Sequence, residues 1–143
     1  MSQICTRPCC QLRRAIGRYC ECGALTRAAR RLRIEVLSAA RPTRWDFNAP
    51  GTIVIGRRST STLADPPQVD LGTAMSDASG VSRRLLTVVW TGDDQARITR
   101  VGDRGSVIVG EHALAVRHGI HCALPQFIVI NGALSLHLAT ESL

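Results

Sequence analysis

Arginine and serine stand where apolar runs meet loops. The run GTIVIGRR at 51–58 ends on Gly56-Arg57, and the run GVSRRLLTVVW at 80–90 opens on Ser82-Arg83. A planar guanidinium can donate two parallel charge-assisted hydrogen bonds to one phosphate, and a serine hydroxyl or backbone amide can complete such a site. Loops at one end of a β-scaffold bring groups of this kind together. A second set of chemically capable residues crowds the amino terminus: Cys5, Cys9, Cys10, Cys20 and Cys22. In a reducing cytoplasm such a cluster reads as metal ligands rather than disulfides. Cys5 with Cys10, or with Cys9 in its place, makes one arm, and Cys20 with Cys22 the other. Four thiolates suit a structural, tetrahedral zinc and leave no open position for catalysis.

Elsewhere the residues that catalysis needs are missing or badly placed. All 18 basic residues are arginine, which excludes a P-loop lysine, a Schiff-base lysine and any lysine general base. His118, His121 and Cys122 are close in sequence, but only His137 lies downstream and no carboxylate is near, so a loop with a buried thiol is the reading. Asp93-Asp94 follows Gly92 and reads as a solvated turn. No serine, histidine and acid arrangement suggests a nucleophilic triad. The chain is expected to bind rather than to catalyse.

A length of 143 residues suits one domain, or one domain and a small appendage, and 45% hydrophobic residues suffice for a modest core. The net charge of +7 is uneven. Residues 1–44 carry ten arginines against Glu21 and Glu35, a balance of +8, whereas residues 45–143 carry eight arginines against nine acids, a balance of −1. A basic segment of this kind is a solvated face or an arm for an acidic partner. The first 23 residues lack the apolar run of a secretory signal, and no stretch approaches the roughly 20 apolar residues of a membrane span. A soluble, cytoplasmic protein is expected.

The elements that must position these residues follow from periodicity. Residues 1–23 are too short for a hydrophobic core and need a metal or a neighbour. Across residues 24–47, a basic connector, Leu25, Ala28, Ala29, Leu32, Val36 and Ala40 recur at helical spacing, with Thr26 as a cap and Pro42 as a stop. Leu32, Ile34 and Val36 also alternate as a strand would; helix is the expectation. From residue 48 onward the pattern changes to short runs rich in valine, isoleucine and leucine. Strands are predicted at 52–55, 69–71, 85–90, 96–101, 106–109, 113–116, 127–130 and 134–138. Asn131-Gly132 supplies hairpin chemistry between the last two. Some eight short strands argue for an all-β sandwich or barrel.

In order, these segments resemble a forkhead-associated domain. The strand ending in Gly56-Arg57, the apolar Val69-Asp70-Leu71, the Val81-Ser82-Arg83-Arg84 turn entering a strand, the Gly105-Ser106 turn and the closing hairpin FIVINGALSLHL at 127–138 carry the likeness, which spans about 48–143. The resemblance implies a β-sandwich whose apical loops hold phosphothreonine, acting as a non-catalytic signalling adaptor downstream of a serine/threonine kinase. By position, Arg57 and Ser82 would contact the phosphate, with Arg83 as a further donor. Two positions depart from the family pattern. Leu85 stands where the family usually has a histidine that steadies the loops, and Ser106 runs straight into Val107-Ile108-Val109 where the family usually has an Asn-Gly pair that grips the peptide. An altered pocket is therefore expected. YCECG at 19–23 looks like the second knuckle of a zinc ribbon, with Glu21 alone between Cys20 and Cys22 where a ribbon has two residues. An alternative function is nucleic-acid association through the basic first 44 residues, by phosphate contacts rather than stacking, since aromatics are only 3%.

Overall fold

The computed structural model describes residues 3–5, 13–14, 26–28, 30–37, 43–58, 67–74 and 80–142. Three short amino-terminal strands, β1 (Gln3–Cys5), β2 (Arg13–Arg14) and β3 (Thr26–Ala28), pair antiparallel in the order β2-β1-β3. Cys5 falls on β1; Cys10, Cys20 and Cys22, the remaining proposed zinc ligands, lie outside the described residues.

The rest is a sandwich of two sheets over one core. The first sheet comprises β4 (Arg30–Val36), β5 (Arg44–Phe47), β10 (Val107–Val109), β11 (His112–Ala113), β13 (Gln126–Ile130) and β14 (Leu134–Ser142), ordered β11-β10-β13-β14-β4-β5. The second comprises β6 (Gly51–Gly56), β7 (Val69–Asp70), β8 (Leu86–Trp90), β9 (Gln95–Arg100) and β12 (Gly119–Ala123), ordered β12-β9-β8-β6-β7. Every pairing in the two sheets is antiparallel except β6 with β7. Strand periodicity drives the layering: Ile128, Ile130, Leu134, Leu136 and Leu138 face inward from one sheet, Ile53, Ile55, Leu86, Val88, Trp90 and Ile98 from the other. No helix among the described residues is long and apolar enough to cross a membrane.

The expected basic helix is instead strand. Residues 30–36 form β4, which pairs with β14 from Arg30↔Ser142 to Val36↔Leu136 and with β5 from Leu32↔Phe47 to Glu35↔Arg44. Leu32, Ile34 and Val36 are buried, and the alternate residues turn outward into a cross-strand charge lattice. Arg33 NH2 lies 2.5 Å from Glu141 Oε1, and its Nε lies 3.5 Å from both Glu35 and Asp46. Arg31 also reaches Glu141, and Arg44 reaches Asp46. Such partly exposed pairs contribute about 1 kcal/mol or less each. The decisive terms are the backbone pairing of β4 along the edge of β14 and the burial of Leu32, Ile34 and Val36 in the core. Consequently the sandwich starts at Arg30, and the segment read as a connector supplies two of its strands.

Residues 119–123, expected as a loop, form β12 against β9. Alternation puts Cys122 into the core and His121 outward, where its Nε2 meets Gln95 Oε1. The Cys122 thiol sits 3.6 Å from the Ala96 carbonyl oxygen, and burial pushes its pKa up against a smaller opposing hydrogen bond with Gln126. A thiol held protonated in this way is inert.

Candidate functional site

The ends of β6 and β9, the start of β8 and the β13–β14 hairpin converge on one apex, where the chain's loops are fitted by three glycines. A Cβ on Gly56 would lie 1.9 Å from the Arg83 carbonyl oxygen, and one on Gly102 would lie 2.3 Å from Ser82 Cβ and 2.5 Å from the Arg84 carbonyl oxygen. Gly105 has φ +104°, and a Cβ there would come 2.8 Å from Asn131 Oδ1. Only glycine at these places lets the 80–85 and 102–106 loops press together over the strand ends.

Within that seam Ser82 is tied to Arg104 in both directions. The Ser82 amide donates to the Arg104 carbonyl at 3.1 Å, and the Arg104 amide donates to Ser82 Oγ at 2.8 Å. The hydroxyl proton itself has a weak acceptor, the Arg104 carbonyl at 3.4 Å. Arg57 is half-buried, and its Nε donates to the Val81 carbonyl at 2.7 Å. This bond lays the guanidinium along the residue that precedes Ser82 and leaves both terminal nitrogens without a hydrogen bond to a described residue. Arg83 is on the same loop and exposed. The structure thus brings Arg57 and Ser82 to adjoining backbone positions and places Arg83 beside them in sequence, facing solvent.

Three contributors escaped sequence reasoning. Arg100, at the end of β9, is only 9% exposed. Its Nε donates to Gly102 O at 3.0 Å, NH1 to Leu114 O at 2.9 Å, and NH2 to Gly105 O, with Asp103 O more distant at 3.5 Å. It is a buried cation solvated by the Leu114 carbonyl and by carbonyls of the very loop that holds Arg104. Asn131 was legible only as a turn residue. With Gly132 it adopts positive φ, and Ala133 N–H closes the turn on Ile130 O at 3.1 Å. Its side chain does more: Oδ1 accepts from Ser106 N–H at 2.8 Å and Nδ2 donates to Gly80 O at 3.4 Å, joining the two apical loops. Asp70 is the third, accepting from the amides of Arg58 at 3.1 Å and Gly72 at 2.9 Å and so fixing the exit of β6.

No protein-family model matches the chain, and no curated protein matches it. Solved structures do. The FHA domain of CT664 from Chlamydia trachomatis superposes with a TM-score of 0.57 at 21% identity, covering 76% of this chain and 96% of that one. The FHA domain of an Arabidopsis thaliana hypothetical protein gives 0.60 at 16% identity, covering 80% and 88%. The fold is that of a forkhead-associated domain. Full-length yeast Pml1p also aligns, with a TM-score of 0.59 at 9% identity over 78% of this chain and 83% of that one.

Against the forkhead-associated pattern, the Leu85 departure has a structural account. Leu85 is fully buried, its N–H donates to Ile55 O at 2.9 Å, and its carbonyl accepts from Val101 at 2.9 Å and Gly102 at 3.1 Å. Steadying of the loops passes here to core burial and backbone hydrogen bonds. Likewise no asparagine follows Gly105, and the asparagine that reaches the seam, Asn131, is spent on Ser106 and Gly80.

Proposed function

We propose that the protein binds threonine-phosphorylated segments of partner proteins at this apex, as a signalling adaptor that catalyses nothing and depends on a serine/threonine kinase for its ligand. The observation that supports this most is the Arg57 Nε to Val81 O hydrogen bond, which sets next to Ser82 a guanidinium whose two terminal nitrogens make no hydrogen bond to a described residue. A phosphate resting there takes two parallel hydrogen bonds from Arg57 and the Ser82 hydroxyl proton, which gives up only its weak 3.4 Å acceptor. Arg83 swings in as the further donor. The amide bond that Ser82 Oγ accepts from Arg104 is kept, so binding needs no loop rearrangement.

Titration of the full chain with matched phosphothreonine and unphosphorylated peptides is the test. Preference for the phosphorylated set should be at least about tenfold and should fall by a similar factor in Arg57→Ala, as expected for losing a charge-assisted hydrogen bond. Equal binding of both sets would sink the reading. Ahead of the sandwich, the reading also places a structural zinc on Cys5, Cys10, Cys20 and Cys22, whose four thiolates match its preferred tetrahedral set. Metal analysis of reduced protein should find about one zinc per chain, lost when Cys20 and Cys22 are both replaced by serine; metal-free protein would refute it.

A further inference from the structure

The outermost strand of a sheet carries a row of backbone donors and acceptors that no neighbouring strand uses, and folds shield such edges with shortness or charge. The first sheet ends at β11 and β5, the second at β12 and β7. β11 and β7 are only 2 residues long, and β12 (GIHCA) holds neither carboxylate nor guanidinium. β5 is different. Its residues, RWDF, place a cation and an anion two positions apart, and among the described residues its backbone pairs with β4 alone. The direction of its free groups follows from the ladder. Val36 N–H donates to Thr43 O at 2.9 Å, so by alternation Trp45 and Phe47 also bond toward β4, and the amides and carbonyls of Arg44 and Asp46 point to the open edge. The side chains of Arg44 and Asp46 lie on the outer face, 52% and 31% exposed, with Arg44 Nε 3.3 Å from Asp46 Oδ2. Trp45 and Phe47 face the other way, partly buried against the core.

A two-fold axis through one residue of this strand would pair it antiparallel with its own copy and keep the side chains of both on matching faces. Centred on Arg44, the axis sets cation against cation; centred on Asp46, anion against anion. Like charges directly opposite destabilise a strand pair. Centred on Trp45, it sets Arg44 opposite the partner's Asp46 and Asp46 opposite the partner's Arg44. These are the residues whose backbone groups point outward, so each pair exchanges both of its N–H to O=C bonds. The Trp45 side chains then meet on the axis in the close, non-hydrogen-bonded position, where aromatic pairs pack across strands. We infer that β5 is a homodimer interface, in which two copies of this chain join their first sheets edge to edge about a two-fold axis at Trp45. The contact is isologous, and the occupant is a second copy because the charge order of the strand is complementary to its own reversal. The inference does not depend on what the apex binds.

Sedimentation velocity of the reduced full chain over a concentration series tests it. The wild type should pass from monomer to dimer with a dissociation constant of roughly 1–100 μM, loosening as salt rises. Arg44→Asp and Asp46→Arg each set like charges across the axis and should each weaken self-association by at least about tenfold. Mixed in equal amounts, the two variants should regain a dimer, because every charge pair across that axis is again unlike. Arg44→Pro deletes an edge amide but no bond to β4, and it too should weaken the dimer by about tenfold. Circular dichroism establishes that each variant is folded; should a charge reversal unfold the chain, loss or persistence of the dimer in Arg44→Pro decides. A wild type still monomeric at about 500 μM, a dimer indifferent to these substitutions, or folded single variants whose mixture stays monomeric overturns the inference.

Discussion

Replacing Arg100 with methionine is expected to destabilise the protein by about 3 kcal/mol, a drop in melting temperature of roughly 10 °C for a domain of this size. Methionine preserves much of the aliphatic stem, so the loss isolates the guanidinium. Gly102, Gly105 and Leu114 carbonyls would each lose a charged donor, and buried acceptors left unpaired cost about 1–3 kcal/mol apiece before water or relaxation recovers part of it. Arg100→Lys should fall between the two, since a single ammonium cannot satisfy carbonyls spread from residue 102 to residue 114. Because two of these acceptors, Gly102 and Gly105, belong to the loop that carries Arg104, phosphopeptide affinity should weaken along with stability. Thermal and urea unfolding of the wild type and both variants checks this. A change under about 0.5 kcal/mol for methionine would show that solvent replaces the guanidinium and that Arg100 does not organise the loop.

Gly56→Ala is expected to be the most damaging single-methyl insertion at the apex. The added Cβ would stand 1.9 Å from the Arg83 carbonyl oxygen and 2.6 Å from its carbonyl carbon, both backbone atoms that cannot rotate away. Either the end of β6 or the 80–85 loop must shift, at a cost of roughly 1–3 kcal/mol, and the Arg57 to Val81 hydrogen bond spans that same gap. Phosphopeptide affinity should therefore fall by about tenfold or more. Gly51→Ala, at the other end of the same strand, provides the control. Its Cβ meets nothing within 4 Å, so it should leave stability and binding unchanged within about 0.5 kcal/mol. Chemical denaturation and peptide titration of the two variants measure the contrast. Equal behaviour of the two variants would remove the close approach as an explanation of why glycine precedes Arg57.

Much of the fold was legible because one physical signal, alternation with a dry face, operates residue by residue. The runs around Ile53, Val88, Ile98, Ile128 and Leu136 each declare a strand locally, and Asn131-Gly132 declares the hairpin because both residues must take positive φ. At Arg30–Val36 the local signal was split, since the alanines upstream extend a helical period while Leu32, Ile34 and Val36 alternate. The exposed flank of β14 settled it, and that flank lies more than a hundred residues away in sequence. Gly119–Ala123 was missed for a related reason. It is an edge strand with one buried side chain, Cys122, and one partly buried, Ile120, and its identity comes from pairing with β9.

For the site, the sequence by itself determined the residue types and their order: arginine behind a strand-ending glycine, and serine and arginine opening the next strand. Tertiary structure decided which of those groups are available. It spent Asn131 on joining two loops, buried Arg100 among carbonyls, covered Leu85 completely, and left the terminal nitrogens of Arg57 beside Ser82 without a hydrogen bond to any described residue. Hydrogen-bond partners and burial depend on contacts between segments far apart in the chain, whereas periodicity and turn chemistry depend on neighbours. That difference in range is why the strands could be read in advance and the working face of the apex could not.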